Sequence, residues 1–234
     1  MPDFKRIGQS KTSPSSNSQR MVVRVPAYVD DKGYIQNANL VLKSIPALEK
    51  GSLLGPVAVV MHRTDSTTAS SAISSFKRGV GTHFIIDKDG TTYQTASLHQ
   101  KTWHVGPIKS RCFEEGSCDT PEASAIKAMR DASKAVHRHE KIKAYPLRYP
   151  MNEDSVGIEV VAKNHGGDYK WDAPTAAQTA SIRRLIGILR NEFSLTDDDI
   201  YEHDIISRKT AGEGAGLYTD IDDGMSVRFP PPPF

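Results

Sequence analysis

Cysteine is scarce: Cys112 and Cys118 are the only two in 234 residues, too few for a disulfide scaffold. They lie close together in a polar, Gly-containing stretch. The pair closes a short disulfide loop if the protein reaches an oxidising compartment, and stays as two free thiols otherwise. Its spacing does not suit a zinc pair. An excess of one charge is also missing, since 30 Lys and Arg stand against 28 Asp and Glu. A net +2 leaves no nucleic-acid footprint. No apolar run reaches the ~18 residues of a membrane span. The first twenty residues, MPDFKRIGQSKTSPSSNSQR, have no apolar h-region and no small-residue cleavage site. They are not a secretory signal and predict a disordered leader over 1–20. No internal repeat is present, and no HExxH-type metal motif.

What is present is a globular composition, 38% hydrophobic and 25% charged, in a chain long enough to bury one good core. Val22 to Val25 is a short strand-like run, and an apolar stretch lies around Leu40 to Leu48. Val57 to Met61 is continuously apolar, as expected of a strand buried on both faces, and it runs into His62. Ser66 or Thr67 then caps a helix whose apolar residues Ala69, Ala72, Ile73 and Phe76 share one face, with Gly79 and Gly81 as its stop. Thr82 to Ile86 and Thr91 to Thr95 read as strands joined at Asp89-Gly90.

Further on, Thr120-Pro121 opens a helix with Ala125, Met129, Ala132 and Val136 on one face. Val156 to Val161 is another buried strand, Pro174 to Phe193 the clearest helix, and Ile200 to His203 a short edge or terminal strand. Pro230 to Pro233 cannot join a core. Strands alternating with helices predict an α/β fold with a single mixed central β-sheet flanked by helices.

Some residues suit chemistry. His62 ends a buried strand, where a sheet presents side chains to a crevice, and His203 follows another strand. Two imidazoles from separate elements form a plausible zinc pair. His137, His139 and His165 lie in polar stretches and receive no role. Glu159, inside SVGIEVV, is either a charge on the solvated face of its strand or a buried carboxylate tuned toward a general base. Lys209, in a Gly-rich loop, is a solvated lysine or a stabiliser of a developing oxyanion.

Read together, VVMHRTDS (59–66), GTHFIIDKDGTTYQ (81–94), TWHVG (102–106), NEDSVGIEVV (152–161) and EHDIISRKT (202–210) resemble the type 2 N-acetylmuramoyl-L-alanine amidases. That family includes wall-recycling amidases, phage amidase lysozymes and peptidoglycan recognition proteins. The segments stand in the family's order over about residues 57–217.

The resemblance implies an amidase domain over 21–228 with an insertion at about 107–150, between the leader and a proline-rich tail at 229–234. It implies a zinc (Zn2+) cofactor, with His62 and His203 as ligands. Glu159 orients or deprotonates the attacking water, and Lys209 supports the oxyanion. Trp103 and His104 match a Trp-His-x-Gly element at the substrate groove, or else pack as wall behind it.

The chain departs from that pattern where the family places Asp or Cys two residues after the lysine, because that position is Ala211. Glu213, bracketed by Gly212 and Gly214, is the expected third ligand, ahead of Asp204, which adjoins His203 and should point elsewhere. Thr82 replaces the tyrosine of phage members and carries no catalytic role. The segment 107–150 is expected to border the groove and shape peptide specificity.

The expected substrate is peptidoglycan or a muropeptide. The alternative is a non-catalytic peptidoglycan-binding module. Three settings compete: wall recycling, an endolysin, and an antibacterial effector with an immunity protein and a secretion machine as partners. The expectation is synthesis in the cytoplasm and action in the periplasm after non-classical delivery.

Overall fold

A computed structural model describes residues 26–53, 55–129 and 131–219. The leader, the Val22–Val25 run and the proline-rich tail lie outside the described residues. The chain runs β1 (Tyr28–Val29), β2 (Ile35–Gln36), β3 (Val41–Leu42), β4 (Ala58–Arg63), α1 (Ala69–Phe76), β5 (Phe84–Ile86), β6 (Thr92–Gln94), α2 (Arg111–Glu114), α3 (Thr120–Met129), α4 (Ser133–Glu140), β7 (Ser155–Val160), α5 (Ala176–Phe193), β8 (Ile200–Glu202) and α6 (His203–Ile206). Single 3₁₀ turns precede β4 and β8. No helix among the described residues is long and apolar enough to cross a membrane.

Strands β3 to β8 form one mixed sheet in the order β3-β6-β5-β7-β4-β8. Only the β5–β6 hairpin is antiparallel within it. Its turn uses Gly90 at φ +85°, as the Asp-Gly pair predicts. The two-residue period of a strand then sorts side chains onto two faces. Val59 and Met61 of β4, Phe84 and Ile86 of β5, and Val156, Ile158 and Val160 of β7 pack against Ile182, Leu185, Ile186 and Leu189 of α5. The alternate residues Val60, His62, Gly157 and Glu159 therefore belong to the opposite face. There Val60 packs with Val105, Ile108, Tyr149, Met151 and Ile206. Both faces are covered, which is why β4 reads as an unbroken apolar run.

Two local readings differ. The cap of α1 is Thr68, whose hydroxyl accepts from Ser71 N at 3.2 Å, rather than Ser66 or Thr67. The expected single helix after Thr120 is two, α3 and α4, with Ala132 outside helical geometry at φ −106°, ψ 78°. The buried residues are Ile126 and Val136. Ten residues apart, they would sit roughly 80° out of phase on one continuous helix; the break lets both turn inward. Cys112 and Cys118 form a disulfide with S–S 2.00 Å.

Candidate metal centre and active site

Register builds the site. Met61 pairs with Glu202 on one side of β4, so the next residues, His62 and His203, fall beside each other. Their rings approach to 4.1 Å between centroids. On the other side of β4, His62 is paired directly with Glu159 of β7. Both histidines are buried.

Hydrogen bonds fix which ring nitrogens face inward. His203 Nε2 lies 2.8 Å from Val105 O. A carbonyl only accepts, so Nε2 carries the hydrogen and Nδ1 keeps its lone pair. His104 Nε2 donates to Ser155 O at 3.4 Å, leaving His104 Nδ1 to accept from His62 Nε2 at 3.1 Å. His62 Nδ1 is thereby a lone pair too. Glu213 Oε1 faces both, 2.7 Å from His203 Nδ1 and 3.7 Å from His62 Nδ1.

Each of these three residues offers one ligand atom, and the atoms lie within 4.8 Å of one another. Two lone pairs and a carboxylate oxygen turned toward one point need a proton or a cation between them. Two imidazole nitrogens and one carboxylate oxygen match the donors of a catalytic zinc site that keeps a fourth position open.

The titration of the groups agrees. Burial, then His203, pushes His62 down to about 3, so it stays neutral. Burial also holds His104 well below the usual range, with His62 and His83 adding to it. Burial alone would raise Glu213, but its close contacts with His203 and then His62 outweigh it and hold it below the usual carboxylate range. Glu159 is pushed up to about 8 by burial and then by Glu213, against the pull of Lys209. Its carboxylate has no hydrogen-bond partner among the described residues, and the residue is half-buried. Lys209 is exposed, yet near enough to act on both Glu159 and His62.

The structure therefore gathers His62, His203, Glu213, Glu159, Lys209 and His104. Trp103 stays at the surface, 52% exposed, with Lys50 Nζ 4.7 Å above its ring. His104 lies beneath His62, buried between it and His83. Asp204 turns away from the histidines and accepts from Gly212 N and Gly214 N. The Thr82 hydroxyl is buried and donates to Phe84 O.

The Gly-Glu-Gly sequence has a physical reason at each glycine. Gly212 has φ +85°, and a Cβ on Gly214 would lie 2.6 Å from His203 N.

Two residues of the NEDSVGIEVV segment escaped the sequence reading. Asn152 Oδ1 accepts from His104 N at 2.9 Å and Val105 N at 2.8 Å, pinning the stretch that supports both histidines. Ser155 supplies the carbonyl that orients His104. Their place in NEDSVGIEVV, beside Glu159, was the available signal. In the segment 107–150, Ile108, Lys109, Phe113, Ile126 and Val136 line a recess shared with Arg208, the neighbour of Lys209.

A sequence model described as N-acetylmuramoyl-L-alanine amidase matches residues 54–213. Among solved structures, the chain is similar to a selenomethionine AmpD derivative at TM-score 0.50 and 16% identity, over 81% of this chain and 93% of that one. It is also similar to Drosophila peptidoglycan recognition protein SD, at TM-score 0.43 and 14% identity over 75% and 90%. A third is the N-acetylmuramoyl-L-alanine amidase LysC of Clostridium intestinale URNW, at TM-score 0.41 and 17% identity over 72% and 85%. No curated protein sequence matches the chain.

Proposed function

The chain belongs to the N-acetylmuramoyl-L-alanine amidase family, and we propose that it is a zinc-dependent hydrolase of the amide bond between N-acetylmuramic acid and L-alanine in peptidoglycan. One observation carries the zinc reading: His62 and His203 both commit Nε2 as donors, which leaves their Nδ1 lone pairs facing Glu213. These three residues would hold the metal. Zinc bound there would polarise the amide carbonyl and acidify water to a pKa of roughly 7.

The chain's own groups supply the proton traffic and the charge balance. Glu159, as carboxylate, takes a proton from the attacking water while the water oxygen bonds to the carbonyl carbon. The Lys209 ammonium offsets negative charge on the carbonyl oxygen. Glu159 then gives its proton to the alanine nitrogen as the C–N bond breaks. The products are a muramic carboxylic acid and a stem peptide with a free amine. Exposed Trp103 offers an apolar face to the substrate, and His104 orients His62 from below. The Cys112–Cys118 disulfide supports action in an oxidising compartment such as the periplasm.

Digestion of purified sacculi, followed by mass spectrometry of soluble products, tests this reading. Stem peptides free of muramic acid are expected, and a zinc chelator should abolish them. Intact sacculi that still pull the protein down would refute hydrolysis and favour a binding module.

A further inference from the structure

We propose that Arg63 and Asp204 form a clamp that makes Glu213 a metal ligand, gripping the loop at 212–214 from the two residues that directly follow the ligand histidines. The proposal rests on the zinc reading above. Asp204 uses both carboxylate oxygens, Oδ2 accepting from Gly212 N at 2.7 Å and Oδ1 from Gly214 N at 2.9 Å. These are the amides on either side of Glu213. Arg63 Nη1 donates to Gly212 O and, at 3.4 Å, to Glu213 O. Glu213 N itself donates to Thr210 O at 3.1 Å. The backbone around the carboxylate is thus held on its donor and acceptor sides by opposite charges.

The clamp answers a problem the sequence sets. With Ala211 at the family's ligand position, the carboxylate comes from two residues later, on a loop made permissive by two glycines. A permissive loop does not place a ligand unless something orders it. Because Arg63 adjoins His62 and Asp204 adjoins His203, a shift of the Glu213 backbone relative to either histidine strains a contact of the clamp.

Arg63 is buried to 9% exposure and leaves Nε without a partner. Its side-chain hydrogen bonds among the described residues go to Gly212 O and Glu213 O, so its position points to the loop it holds. The outer side of the same loop is held differently. Asp168 Oδ1 accepts from Ala211 N at 3.1 Å, and Trp171 Nε1 donates to Ala211 O at 3.2 Å. Those contacts reach Ala211 and not the flanks of Glu213.

Arg63 and Asp204 are positioning residues, and the test reads the metal rather than turnover alone. Zinc affinity is measured by competition with a chromophoric chelator for the wild type, Asp204→Asn, Arg63→Lys and Asp168→Asn. Thermal melts of the chelator-treated proteins and the visible spectra of their cobalt(II) forms accompany it. Asp204→Asn and Arg63→Lys are expected to lose about 10- to 100-fold in zinc affinity and to shift the cobalt spectrum at temperatures where they are folded. Asp168→Asn should match the wild type.

Wild-type zinc affinity and an unchanged cobalt spectrum in folded Asp204→Asn would overturn the clamp while leaving the zinc site intact. If Asp204→Asn does not fold, Arg63→Lys, which keeps the charge but removes the Nη1 donor to Gly212 O and Glu213 O, decides by the same readings. A wild type that takes up no zinc overturns the metal reading and the clamp together.

Discussion

His62 and Glu159 are direct register partners on the parallel strands β4 and β7, so their side chains leave the same face of the sheet. A donor of the proposed metal triad and a carboxylate raised to about 8 by burial are thus placed side by side by the backbone ladder itself. Glu159→Gln keeps the shape and removes the base. Its turnover of sacculi is expected to fall by roughly 10²–10⁴-fold with bound zinc unchanged, as read by product release alongside metal analysis.

Glu213 is the only acidic member of the triad that faces both histidines. Glu213→Ala is expected to lose zinc under conditions where the wild type stays loaded, and to lose amidase activity with it. Unchanged stoichiometry and affinity would remove Glu213 from the ligand set.

Gly157 reaches His62 through His104. A Cβ there would sit 2.7 Å from His104 Nδ1, the atom that accepts from His62 Nε2. Gly157→Ala should displace that acceptor and weaken zinc binding by about 10- to 100-fold with every ligand residue intact. Chelator competition measures it.

The disulfide between Cys112 and Cys118 closes a loop of sequence separation 6. Chain entropy assigns such a loop roughly 2 kcal/mol. The Cys112→Ser, Cys118→Ser double variant should melt earlier and still bind zinc, because α2 contributes no ligand. Calorimetry with and without reductant compares the two.

Asp172 ties the loop behind Ala211 to the β5–β6 turn. It accepts from Lys88 Nζ at 2.6 Å, His165 Nε2 at 2.7 Å and Lys163 N at 3.1 Å. The Lys88 and His165 contacts, with the Lys163 amide, hold its carboxyl well below its ordinary 3.8. A depressed carboxylate contributes stability above its unfolded value and loses it as pH falls toward the folded one. Asp172→Asn should therefore melt below the wild type at pH 7, and the gap should close as pH drops below about 4. The pair to Lys88 is partly exposed, so the gap should be that of roughly 1 kcal/mol. Melts across the acid range check it.

Much of the frame was written in the chain. The apolar run before His62, the helical stripe from Ile182 to Leu189 and the Asp89-Gly90 turn depend on neighbours a few residues apart. Local periodicity and turn chemistry therefore place β4, α5 and the β5–β6 hairpin. The resemblance of segments such as VVMHRTDS, NEDSVGIEVV and EHDIISRKT to the amidase family pointed to His62, His203, Glu159 and Lys209. Glu213 was reachable because glycines bracket it. The run from Ala125 to Val136 misled, since a stripe on paper does not reveal that Ile126 and Val136 must both turn inward.

What the sequence alone determined is the order of elements and the kinds of side chain available for a metal and a base. Tertiary structure decided which atoms meet. It turned His62 and His203 so that Nδ1 faces Glu213, set His104 beneath them, joined the two cysteines and fixed the 212–214 loop through Arg63 and Asp204. The reason is physical. Periodicity is set by residues close along the chain, whereas a ring's tautomer and a glycine-bracketed loop's path are set by hydrogen bonds to residues that only strand register brings near.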